Sequence, residues 1–131
     1  MLYTTFIAWV ILEVAWDWYH MEKLNKGPNY HGSNLIRCIV GMVIWAAAPT
    51  LKEMDQYKYL MWPVVMFVSF WFLFDWWLNL VRTWSGNYRP YWYLGDNTLD
   101  RWQKRNGGAF AWFWIKGLLF IICLTIFEVI L

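Results

Sequence analysis

Apolar residues fill four long stretches of the chain, and most charges inside them gather near one end. The longest run has no charge from Tyr59 to Phe74 and closes on Phe74-Asp75-Trp76-Trp77-Leu78-Asn79-Leu80-Val81-Arg82. Such a run is too long for a core strand. With the next turn it reaches the roughly 20 residues that a helix needs to cross about 30 Å of hydrocarbon. The same pattern predicts spans over residues 2–20, 34–50, 58–82 and 109–131, and one transmembrane domain over 1–131. The expected fold is an all-α integral membrane protein, a bundle of four transmembrane helices.

The polar interruptions are patterned too. Glu13, Asp17 and His20 follow an i, i+4, i+7 spacing, which at about 100° per residue puts them on one narrow arc of a helix. Asp75, Asn79 and Arg82 repeat that spacing in the third span, and each trio precedes a glycine-containing connection and another span. Such a match suggests a duplicated hairpin. Arg37 stands in the first turn of the second span and Lys116 near the start of the fourth. Gly41 and Ala46-Ala47-Ala48 offer a small-residue face for close helix packing.

The connections differ in kind. Residues 21–33 hold Lys23, Lys26, Gly27-Pro28 and Asn29, a loop signature that places His31 on a loop. Thr50 and Glu53 match a capping box for a new helix, followed by a brief polar turn through Tyr57. Pro63 lies within that helix's first turns, where a missing amide costs least. Residues 83–107 alternate aromatic and turn residues. They close on a short helix that Asp96 or Asn97 would cap and that ends at Arg105, with Leu99 and Trp102 on one face, expected to lie in the interface plane.

Composition agrees with a membrane setting. Of 131 residues, 60% are hydrophobic, 23% aromatic and only 15% charged, against a usual charged share of about 25%. A bilayer accepts the 13 Trp more readily than one soluble core would, since Trp and Tyr favour its interfaces. The net charge of +2, with no basic run interleaved with exposed polar residues, argues against a nucleic-acid partner. Met1-Leu2-Tyr3 leads straight into apolar sequence without a basic start, so the first helix is expected to be retained. Cys38 and Cys123 have neither metal spacing nor a disulfide framework.

Charge asymmetry sets an orientation. Lys23, Lys26, Arg82, Arg89, Arg101, Lys104 and Arg105 fall in or at the edge of the first and third connections, against Lys52 and Lys58 in or at the edge of the second. The positive-inside rule then puts 21–33 and 83–107 in the cytoplasm and both termini on the other side. In that orientation Glu13, Asp17, His20, Arg37, Asp75, Asn79, Arg82 and Lys116 all belong to the cytoplasmic half, and Glu128 does not. A lone charge at mid-bilayer costs about 2.5 to 3.5 kcal/mol on insertion scales, so these groups are expected to face one another or a polar cavity.

Three functions fit such a cluster. The first is a cytoplasm-facing site for a metal ion or an anionic lipid headgroup, extending to catalysis by Glu13, Asp17 or Asp75 if a divalent metal activates water. Glu13, Asp17, His20, His31 and Asp75 are the candidate ligands, carboxylates and imidazoles one turn apart suiting zinc, manganese or iron. Arg37, Arg82 and Lys116 are the headgroup candidates, because Arg forks match phosphate oxygens. The second is a non-catalytic subunit or assembly protein whose charges hold its bundle together and whose aromatic surface meets other membrane subunits. The third is proton or ion conduction along Glu13, Asp17 and Asp75.

Overall fold

A computed structural model of the chain describes residues 2–24, 30–51, 55–95 and 98–131, without the side chains of 22, 23, 30–35, 50 and 51. The regular elements among them are all helical: α1 (Leu2–Trp18), α2 (Tyr30–Ala47), α3 (Gln56–Trp84), α4 (Thr98–Arg105) and α5 (Gly108–Thr125). One π-helical turn, Tyr19–Lys23, extends α1 and another, Ile126–Ile130, extends α5, while a 3₁₀ turn, Ala48–Leu51, follows α2.

Helix ends depart from the sequence pattern where local signals compete. α2 begins at Tyr30, so His31 stands in its first turn and not on a loop. The Gly-Pro-Asn turn signal stops before Tyr30, and Gly32 costs only about 1 kcal/mol in a helix that an apolar run continues. α3 is capped by Asp55, whose Oδ1 accepts from the Tyr57 amide at 2.9 Å. That satisfies an orphan donor of the first turn. The expected capping pair, Thr50 and Glu53, and the expected caps of α4, Asp96 and Asn97, lie outside the described residues or side chains. α4 runs from Thr98 to Arg105 as expected, but the side chain it buries is Gln103, while Leu99 and Trp102 are half exposed.

Cross-contacts give the helix directions. Tyr3 meets Ser69, Trp9 stacks on Phe70 and Trp18 meets Ser85, so α1 and α3 run parallel. Glu13 meets Arg37 and Phe6 meets Trp45, so α2 returns antiparallel to α1. Lys116 meets Asp75 and Phe127 meets Trp62, so α5 returns antiparallel to α3. The long helices therefore alternate in direction, with the parallel pair α1–α3 between α2 and α5.

The inward stripe of α1 is Phe6, Val10, Glu13, Asp17 and His20, all buried. Steps of four and three residues keep that stripe on one face of the helix. Phe6, Val10, Trp62, Val65, Met66, Leu73 and Phe127 form the core. Trp62 also donates its indole N–H to the Trp45 carbonyl at 2.7 Å. That carbonyl belongs to the last turn of α2, which has no helical donor ahead of it. Gly41 accepts the Trp9 indole so closely that an added Cβ would strike the ring.

The outer faces of α2 and α5 are apolar. Ile36, Ile39, Val40, Val43 and Ile44 are exposed on α2, and Trp114, Ile115, Leu118, Ile121 and Ile122 on α5. Among the described residues two helices, Gln56–Trp84 and Gly108–Ile130, are long and apolar enough to cross a membrane, and α2 holds the shorter apolar stretch Ile36–Ala47.

Candidate functional site: two ion pairs and a loop held by Asn79

Among the described residues, the candidates include two ion pairs and one hydrogen-bonded strut. On α1, the 13/17/20 spacing turns three polar side chains inward. Glu13 Oε2 receives the Arg37 guanidinium from α2 in a short charge-assisted bond, and the Cys38 thiol donates to the same oxygen at 3.8 Å. The Arg37 guanidinium also lies over the Trp16 ring at 4.6 Å, a cation–π contact on its other face. Asp17 is buried to 1% exposure. His20 stacks against Trp16 with centroids 4.3 Å apart, and its Nδ1 lies 2.9 Å from the Trp16 carbonyl. A carbonyl accepts only, so Nδ1 is the ring nitrogen that donates here.

The second pair joins α3 to α5. Lys116 Nζ donates to Asp75 Oδ2 at 2.6 Å and lies 4.8 Å from the centre of the Trp71 ring. The two partners differ sharply in surroundings: the lysine side chain is 3% exposed and the aspartate 38%. Gly117, next to the lysine, lets the Phe72 ring close on α5, since an added Cβ would sit 3.3 Å from it.

Asn79 does something different from its neighbours Asp75 and Arg82. It is buried, and its amide donates to the carbonyls of Tyr91 at 3.2 Å and Tyr93 at 2.9 Å. Those carbonyls belong to an irregular stretch, which leaves them without helical donors. One side-chain amide has two N–H groups and so satisfies both. Thr83 fastens the start of the same stretch, donating to the Arg89 carbonyl and accepting from the Arg89 amide. The result is a loop laid along α3, with Tyr91, Trp92, Tyr93 and Leu94 over the Asp75–Lys116 pair around a cavity of about 10 Å³. That is room for about one water. Arg89 and Lys104 flank the Tyr93 ring at 5.0 and 5.8 Å.

Arg82 reaches Met21 Sδ at 3.5 Å, and its carbonyl accepts from Ser85, which in turn receives the Trp18 indole N–H at 3.1 Å. None of Asp17, His20 and Arg82 is without a partner. Within the expected layer of eight groups, Glu13 pairs with Arg37, Asp75 pairs with Lys116, and Asn79 holds the loop. Among the described residues no three His, Cys, Asp or Glu side chains come together as metal ligands, and the His31 side chain lies outside them.

Sequence pattern alone missed three participants. Ser69 is buried against the Tyr3 hydroxyl at 3.0 Å, and a lone Ser in an apolar run is a faint but readable sign. The loop carbonyls that Asn79 holds have no signature at all. Gln103 is fully buried, and neither its amide nitrogen nor its oxygen has a hydrogen-bond partner. No family model, curated protein or solved structure matches the chain.

Proposed function

We propose that the chain is a four-span membrane protein, a non-catalytic subunit or assembly component whose internal charges hold its own bundle together. The observation that supports this best is the pairing. Each acid–base pair ties one helix to the antiparallel helix packed on it, Glu13 of α1 to Arg37 of α2 and Asp75 of α3 to Lys116 of α5. Paired in this way the charges neutralise one another, and the outer faces of α2 and α5 are left apolar, as lipid or a partner helix requires. In that setting α1 and α2 join the two longer helices as spans, residues 21–33 and 83–107 face the cytoplasm, and α4 lies at the interface.

Membrane insertion is tested by alkaline carbonate extraction, with the protein expected in the pellet; release to the supernatant overturns the proposal. Orientation is tested in a cysteine-free background, where Lys104→Cys in intact cells should be shielded from a membrane-impermeant maleimide and Asp55→Cys should react. A purely structural role for the charges predicts that Asp75→Asn combined with Lys116→Met leaves a folded, inserted protein.

An anionic headgroup site is the second reading, and one residue favours it. Arg37 keeps 36% of its side chain exposed while one nitrogen holds Glu13. A phosphate beside it would find a second face of the guanidinium fork. If so, Arg37→Ala should strip anionic lipid from the purified protein, as read by mass spectrometry, whereas equal lipid content excludes it. Elemental analysis of the same sample tests for a bound divalent metal. Proton passage along Glu13, Asp17 and Asp75 would have to bridge two ion pairs that share no residue; a proteoliposome flux assay is expected to show none.

A further inference from the structure

We infer that the outer face of Asp75 heads a binding groove for a cationic amphiphile, an apolar body carrying an amine or quaternary ammonium. A groove of about 340 Å³ runs between α3 and α4, lined by Phe67, Phe70, Trp71, Phe74, Asp75 and Leu99. Its size lies within the range of small-molecule sites, about 300 to 1,000 Å³. The five α3 residues recur at i, i+3, i+4, i+7 and i+8, so they form one continuous stripe of four aromatic rings ending in a carboxylate.

The charge of the occupant follows from which partner of the ion pair reaches the groove. Asp75 spends Oδ2 on Lys116, and its side chain is 38% exposed, whereas Lys116 is withdrawn to 3%. Among the described residues of the lining, Asp75 is the sole ionisable one. An anion entering here would meet the carboxylate without reaching the ammonium behind it. A cation would meet a free carboxylate oxygen and the negative faces of aromatic rings, the combination by which proteins hold quaternary ammonium groups. The fold already treats one cation in this way, since Lys116 rests between Asp75 and the Trp71 ring. The long aromatic stripe beyond Asp75 then receives the apolar body.

This assignment goes beyond the structural role of the pair and does not depend on where the bundle resides, because binding is measured on purified protein. In neutral maltoside detergent, decyltrimethylammonium and decyl sulfate are titrated calorimetrically below their micellar concentrations. The ammonium should bind about tenfold or more tightly than the sulfate, the scale of one desolvated cation–π contact. Asp75→Asn combined with Lys116→Met, which removes both charges together, should abolish the preference. Leu99 is half exposed, so Leu99→Trp should fold normally while filling the groove and weakening ammonium binding about tenfold. Equal affinity for the two amphiphiles, a preference that survives the double variant, or full binding by Leu99→Trp each overturns the assignment.

Discussion

At the scale of single residues, the buried polar groups differ in how fully they are satisfied. Asn79 closes two loop carbonyls, and a buried group left unmade costs about 1 to 3 kcal/mol. Asn79→Leu, similar in size but unable to donate, should therefore destabilise by about 2 to 4 kcal/mol for two carbonyls. It should also expose residues 87–95 to limited proteolysis; unchanged cleavage would show that the loop is held elsewhere. Gln103 is the opposite case, fully buried with both amide ends unpartnered. Gln103→Met keeps the volume and removes the polar atoms, so thermal stability should rise by about 1 kcal/mol. A loss instead would mean that the amide serves a bound group. Gly41→Ala should be costly for a steric reason, because the new methyl meets the Trp9 indole. Overpacking of that kind costs about 1 to 3 kcal/mol, read as a lowered midpoint of thermal unfolding.

At the scale of elements, the two ion pairs act as cross-links between antiparallel neighbours. Removing one partner of a buried pair leaves a stranded charge, which costs about 3 to 5 kcal/mol when both groups are fully enclosed. Asp75 is partly open, so Lys116→Met alone should cost less, about 2 to 3 kcal/mol. Adding Asp75→Asn should recover most of that loss, and a double-mutant cycle with no coupling would deny the cross-link. The spacing shared by residues 13/17/20 and 75/79/82 is carried into three dimensions only in part. Glu13 and Asp75 each take a base from the returning helix, but Asp17 is enclosed in the bundle while Asn79 holds a loop. The two stretches use one register for different work, because the connection after α3 folds back onto its helix at Asn79.

At the scale of the whole molecule, the parallel pair α1–α3 forms the spine, and α2 and α5 flank it with apolar outer faces. A soluble monomer rarely exposes contiguous apolar patches larger than a few hundred Å². Such faces accord with the membrane setting proposed here, in which helix packing relies on close approach and internal polar contacts more than on water exclusion. Gly41 against Trp9 and Gly117 against Phe72 provide that close approach. Replacing both by Ala should lower the yield of monodisperse protein in detergent more than either change alone. Additive effects no larger than those of exposed Ala substitutions would show that the helices have room to spare.

Helical class, the long apolar runs, the short helix ending at Arg105 and the inward stripe of Glu13, Asp17 and His20 were determined by the sequence itself. Periodicity reports which side of a helix is polar whatever that helix packs against. The neighbours of those polar groups are another matter. Arg37 chooses Glu13, Lys116 chooses Asp75, and Asn79 takes the Tyr91 and Tyr93 carbonyls because of how helices and loop are laid side by side. A pattern along one chain carries no term for the distance between two of its segments. Gln103 makes the same point from the other direction: along the sequence its helix reads as an interfacial one with Leu99 and Trp102 on one face, and only tertiary packing encloses Gln103. The groove at Asp75 likewise exists because Leu99 of α4 comes up to the aromatic stripe of α3, with the carboxylate exposed and the lysine within.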